Sequence, residues 1–181
     1  MKPRFALCAF AFAIALAIAP QSTCLAGDSA SFTAKHSRAS TQLVLHGSPD
    51  ASFNLFTPSG ERLWGAPHWD PIPVGSHAGP DATGMVFHNG KEKALWVVTR
   101  LDASARVIEY LIISDEMLTR LRCEVAPSGD QDSLATVTYD WTSLSEAGNS
   151  ALEMHAQHFN AQVAGWGEAM NKVLAPEKPA K

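Results

Sequence analysis

A chain of 181 residues, 46% hydrophobic and 18% charged, is long enough to bury one sizeable core and shows no second domain. Lys and Arg number 14 against 18 Asp and Glu, a formal net charge of −4. That balance argues against nucleic acid or an anionic membrane surface as the main partner.

Met1 to Ala26 reads as a secretory signal peptide. Lys2 and Arg4 are the positive start, Phe5 to Ala19 is an uncharged apolar run, and Cys24-Leu25-Ala26 is a small-x-small site before Gly27. The run falls short of the roughly 20 residues that a membrane span needs. Cleavage before Cys24 and an uncleaved anchor are the weaker alternatives, since Gln21-Ser22-Thr23 lacks the residues usual before a lipidated cysteine. Cleavage after Ala26 removes two basic residues and no acid, leaving 12 against 18 and a formal charge of −6. It also leaves Cys123 as the single cysteine, so no internal disulfide can form and a buried apolar role is expected for it. The expected organisation is a signal peptide over 1–26, one domain over 27–175 and a flexible tail over 176–181.

After a loose start, Lys35 to His46 reads as a first strand. Ser48-Pro49-Asp50 carries an N-cap, a proline at the first helical position and an acid in the first turn, which starts a short helix; Thr57-Pro58 repeats the signal for a second, running to about Trp64. Gly65 to Pro80, with four prolines and further glycines, reads as loop. Strands follow at Gly84–His88, closed by the hairpin signal Asn89-Gly90, and at Ala94–Leu101, Arg106–Ser114, Met117–Pro127 and Leu134–Ser143. In the last of these Ala135, Val137, Tyr139 and Trp141 share one face against four polar residues, the pattern of a sheet with one buried side.

The final segment, Ser150 to Ala175, is a long amphipathic helix. Leu152, Ala156, Phe159, Val163, Trp166, Met170 and Val173 recur at spacings of three and four, Ser150 with Glu153 fits a capping box, and Pro176 ends it. The order is strand, two short helices, five strands in a meander, and a long helix that the sheet must cover.

Leu55-Phe56-Thr57-Pro58-Ser59-Gly60-Glu61-Arg62-Leu63-Trp64, with Trp69-Asp70-Pro71, resembles the signature of one branch of the SRPBCC superfamily. Leu95 to Asp102, Ile108-Glu109-Tyr110 and Val137 to Ser145 extend the resemblance over the whole mature chain. It implies an α+β, START-like helix-grip fold of the polyketide cyclase/dehydrase-like branch, in which a curved antiparallel sheet wraps around a long C-terminal helix and two short helices after the first strand close one end of a cavity. The signal peptide departs from the mostly cytosolic members.

The implied lining of that cavity is Phe56, Trp64, Trp69, Phe87, Trp96, Tyr110, Tyr139, Trp141, Phe159, Val163 and Trp166, stiff and largely apolar walls that suit a small hydrophobic or aromatic ligand. The same rings in a domain of this size also serve simply as core. Arg62 is the candidate polar anchor, as a bidentate partner for a carboxylate or phosphate, against a structural role in holding the loop. Trp69, on the proline-rich loop, is expected at the cavity mouth as an aromatic cover. His68, Asp70 and Glu61 are weak acid–base candidates. His155 and His158 lie off the apolar stripe, no HExxH or CxxC occurs, and neither a metal nor a cofactor is expected. The preferred function is binding of a small hydrophobic molecule by an exported protein, either periplasmic or secreted. A cyclase, dehydratase or hydrolase using the same cavity is the rival, and an interaction module with a vestigial pocket is the third possibility.

Overall fold

The computed structural model describes residues 32–65, 72–73, 84–89 and 92–175, and the side chains within these stretches apart from those of residues 73, 84–89 and 92–93. All of them fall in one compact unit that begins at Phe32. The expected signal peptide and the expected tail lie outside the described residues.

The elements follow one another as β1 (His36–Leu45), α1 (Pro49–Asn54), α2 (Pro58–Gly65), β2 (Ile72–Pro73), β3 (Gly84–Asn89), β4 (Glu92–Asp102), β5 (Val107–Ile113), β6 (Met117–Ser128), β7 (Asp132–Ser143) and α3 (Glu146–Leu174). Among the described residues the strands form one antiparallel sheet in the order β1-β7-β6-β5-β4-β3-β2. The first strand therefore pairs with the last, His36 opposite Thr142 and Leu45 opposite Ser133, while the rest is a meander. Ile72 and Pro73 add a two-residue edge strand opposite Val86 and Met85, inside the segment that composition marks as loop. A proline is tolerated there because an edge strand needs ladder donors on one side only.

The local chemistry explains most boundaries. Ser48 accepts a hydrogen bond from the Ala51 amide at 3.3 Å and Pro49 takes the first helical position of α1. At the β4–β5 turn the Asp102 carboxylate accepts from the Ala105 amide, the Ser104 hydroxyl and Arg100, at 2.9, 2.8 and 3.0 Å. These bonds, the Ala105 amide first, hold its carboxyl down at about 2. Gly129, at φ 76°, turns β6 into β7. Thr99 is the extra residue of a bulge, since Val98 pairs with Tyr110 and Arg100 with Glu109.

The inward face of β7 is the expected one: Ala135, Val137, Tyr139 and Trp141 are all buried. Leu121, Cys123 and Val125 of β6 and Ile108, Tyr110 and Ile112 of β5 continue that layer. Helix α3, 29 residues and about 43 Å long, packs along β1 and β7 and touches α1 and α2. Leu152, Phe159, Val163, Trp166 and Met170 are its buried stripe.

Two features of α3 differ from the periodicity. It begins at Glu146, not Ser150, and the cap is Ser145, whose hydroxyl accepts from the Gly148 amide at 3.0 Å. Gly148 and Asn149 look like loop residues in sequence, but each has a packing reason to be helical. A Cβ on Gly148 would lie 2.2 Å from the Glu116 carbonyl oxygen, so the first turn presses against the β5–β6 connection. Asn149 is buried and ties the segment before β1 to α3, accepting from the Lys35 amide and donating to the Thr33 carbonyl. At the other end Val173 is exposed, and Leu174 packs on Gly47 in its place. There Asn171 accepts from the His46 amide and donates to the Val44 carbonyl, which fixes the last turn against the end of β1.

Candidate functional site

The signature residues build a compact knot at the junction of α1 and α2. The Thr57 hydroxyl donates to the Asn54 carbonyl at 2.7 Å and accepts from the Gly60 amide at 3.2 Å, serving one helix end and the next helix start together. The indole of Trp64 donates to the Leu55 carbonyl at 2.8 Å, and the Tyr110 hydroxyl donates to the Phe56 carbonyl at 2.7 Å. Three successive carbonyls at the end of α1 thus each receive a side-chain donor. Gly60 makes this possible: a Cβ there would sit 1.9 Å from the Asn54 oxygen.

This knot turns Glu61 inward. Its amide donates to the Thr57 carbonyl at 2.9 Å, and the residue is 1% exposed, whereas the neighbouring Arg62 is exposed. Oε2 of Glu61 is buried and has no hydrogen-bond partner among the described residues. Burial pushes its carboxyl well above the usual carboxylate range, because the charged form would lose its water. The charge it would carry reaches its surroundings. Tyr110 and Tyr139 are raised chiefly by burial and further by Glu61, as is the Cys123 thiol. Cys123 is accordingly an inert buried thiol.

Around this carboxyl the sheet and α3 gather aromatic rings. Trp64 of α2 meets Trp166 of α3 at 5.6 Å between centroids, Trp166 meets Tyr139 of β7 at 6.1 Å, and Tyr139 meets Phe159 at 5.7 Å. Trp141 stacks on Tyr139 at 5.2 Å and stands edge-on to Phe159 at 5.7 Å. On the other side Trp96 of β4 stands edge-on to Tyr110 at 5.6 Å. Pairs of this geometry each add about 0.5–1.5 kcal/mol beyond burial. Phe56 and Val163 complete the buried layer.

Of the expected lining, Phe56, Trp64, Trp96, Tyr110, Tyr139, Trp141, Phe159, Val163 and Trp166 belong to or pack on one core. Trp69, His68 and Asp70 lie outside the described residues, as does the Phe87 side chain. His158 is exposed on α3 and its ring bonds to the Met154 carbonyl of its own helix, whereas His155 is half-buried at the edge of the stripe, between Leu152 and Phe159. Among the described residues no group of three His, Cys, Asp or Glu side chains could hold a metal ion, and no helix is long and apolar enough to cross a membrane.

A depression of about 140 Å³ lies elsewhere, lined by Arg38, Glu109, Arg120, Arg122, Thr138 and Asp140 with parts of Tyr110 and Leu121. Its charged residues alternate along their strands with the buried ones and so face away from α3. Arg122 pairs there with Glu109 and Glu124, and Arg38 with Asp140. It is a solvated charge network and offers nothing to an apolar ligand.

No protein-family model matches the sequence, and no curated protein matches it. Solved structures do resemble the fold. Norcoclaurine synthase from Thalictrum flavum, solved with dopamine and hydroxybenzaldehyde, is 14% identical with a TM-score of 0.55 over 80% of this chain and 91% of that one. A START superfamily protein from Mycobacterium smegmatis is 11% identical with a TM-score of 0.59 over 77% and 97%. The major latex-like protein 151 of Panax ginseng is 14% identical with a TM-score of 0.57 over 78% and 99%. Identities this low carry the architecture and not the activity. The antiparallel sheet around α3, with α1 and α2 after β1, is the START-like helix-grip fold that the sequence signature of this chain implies.

Proposed function

We propose that this chain is an exported protein that binds a small hydrophobic or aromatic molecule between its sheet and α3. The observation that carries the reading is the convergence of Trp64, Trp96, Tyr110, Tyr139, Phe159 and Trp166 from α2, β4, β5, β7 and α3 on one core, with the buried Glu61 carboxyl near enough to act on Tyr110 and Tyr139. Stiff rings offer large apolar area at little conformational entropy cost, and a few fixed polar groups orient what lies against them. Structures with this fold support the same reading, among them the Thalictrum enzyme with two small aromatic molecules bound. Export rests on the order of charge, apolar run and small residues in Met1 to Ala26.

A catalytic reading, of the cyclase, dehydratase or hydrolase kind, has one observation in its favour. A buried carboxyl whose burial raises it well above the usual carboxylate range is suited to donate a proton to a bound molecule.

Solvent extraction of the natively purified protein followed by mass spectrometry tests the binding reading, together with titration of a neutral fluorescent apolar probe. One extractable molecule per chain, or saturable probe binding, is expected. Protein that yields nothing and binds no probe would instead be an interaction module with a vestigial pocket. N-terminal sequencing of the product from the producing cell should read from Gly27, and an intact Met1 in a cytoplasmic product would refute export.

A further inference from the structure

We propose that Glu61 is the residue that selects the ligand, and that the ligand is an uncharged, flat, mostly apolar molecule carrying a hydroxyl or carbonyl group. This rests on the binding reading above and sharpens it to a chemical class.

The polar groups around the α1–α2 knot are nearly all spent on the protein itself. Thr57, Trp64 and Tyr110 give their donors to the three carbonyls of α1. Oε2 of Glu61 is not so spent: it is buried and without a hydrogen-bond partner among the described residues. Its backbone is held by the Thr57 carbonyl and by the close approach at Gly60, so the carboxyl is aimed by the fold before any ligand arrives. An interior polar atom left unsatisfied carries the full loss of its water, and a ligand that supplies the missing hydrogen bond recovers it.

The charge of the ligand follows from what else is buried. Ser52, Thr57, Thr119, Ser133, Thr138, Ser143 and Asn149 are, with Glu61, the buried polar side chains described, and none is basic. An anionic ligand would find no buried counter-charge among the described residues. A cationic one would require the carboxyl to give up its proton, with two charges then taken out of water. A protonated carboxyl both donates and accepts, which matches a hydroxyl or carbonyl oxygen at the edge of a ring. The faces of Trp64, Tyr139 and Trp166 suit a flat body.

The test uses the purified chain and four probes with one ring system: naphthalene, 2-naphthol, 2-naphthoate and 2-naphthylmethylammonium, titrated by calorimetry or tryptophan quenching. 2-Naphthol should bind about tenfold more tightly than naphthalene, equivalent to about 1.4 kcal/mol, and more tightly than either charged probe. Glu61→Leu should bind naphthalene as before and lose the preference for 2-naphthol, while Glu61→Gln, which also donates and accepts, should keep it. Glu61→Met provides the same comparison should Glu61→Leu fail to fold. Naphthalene and 2-naphthol binding equally to the unaltered protein would overturn the role of Glu61 while leaving the site intact. A charged probe binding most tightly would overturn the ligand class. Failure of all four probes to bind would overturn the binding reading itself, and this proposal with it.

Discussion

Near pH 5 the unfolded chain has begun to lose the Glu61 proton, whose ordinary value is 4.5, whereas the folded chain keeps it because burial raises that carboxyl. Folding therefore takes up a proton above that value, and its contribution to stability is fully present below about 4.5 and declines as pH rises. The decline is at most about 1.4 kcal/mol per pH unit for one proton. The groups whose field it shares, Tyr110, Tyr139 and Cys123, are all raised, so they stay neutral from pH 5 to 8 and add no slope there. Glu61→Gln should accordingly gain stability over the unaltered protein by a margin that grows as pH rises above about 4.5, measured by urea denaturation at several pH values. A margin that shrinks with pH would mean that the folded carboxyl is ionised. Glycines give a second contrast at this scale. Gly60→Ala forces a Cβ into the Asn54 carbonyl and should destabilise by about 3 kcal/mol. Gly165→Ala meets nothing within 4 Å in the middle of α3 and should stabilise by about 1 kcal/mol. Chemical denaturation of the two variants checks both signs.

The long helix shows how capping and packing divide responsibility within an element. Ser145 supplies the cap and Ser150 lies a full turn inside, so Ser145→Ala should cost about 1 kcal/mol and Ser150→Ala much less. Equal losses in thermal melts would return the helix start to Ser150. The early turn was hidden because Gly148 and Asn149 are poor helix formers on their own. They are helical here because the helix start touches the Glu116 carbonyl and the chain at Thr33 and Lys35, contacts made across more than a hundred residues in the latter case. The short helices behave oppositely. Their start signals, Ser48-Pro49 and Thr57-Pro58, are local, and the observed α1 and α2 begin where those signals stand.

At the scale of the whole molecule the helix face is both the core and one wall of the proposed site. Phe159→Ala should destabilise by about 3–5 kcal/mol, since its buried ring packs edge-on against both Tyr139 and Trp141. His158→Ala, on the exposed face of α3, should change stability by less than about 0.5 kcal/mol. Similar losses from both would place the wrong face of α3 against the sheet. The alternation in β7, the three-and-four spacing in α3 and the two serine or threonine caps before proline are properties of neighbours in the chain, governed by the pleat, the helical turn and the orphan amides of a helix start. The sequence alone therefore determined the order of elements apart from β2, the inward residues of β7 and most of the α3 stripe, and its signature pointed to the fold. Tertiary structure decided which strand lies beside β1, where α3 begins, and that Glu61 is buried while Arg62 is exposed. Two adjacent charged residues on a short helix look alike in sequence. Only the approach of Gly60 to Asn54, and the capture of the α1 carbonyls by Trp64 and by the distant Tyr110, set the rotation of α2 that turns one of them away from water.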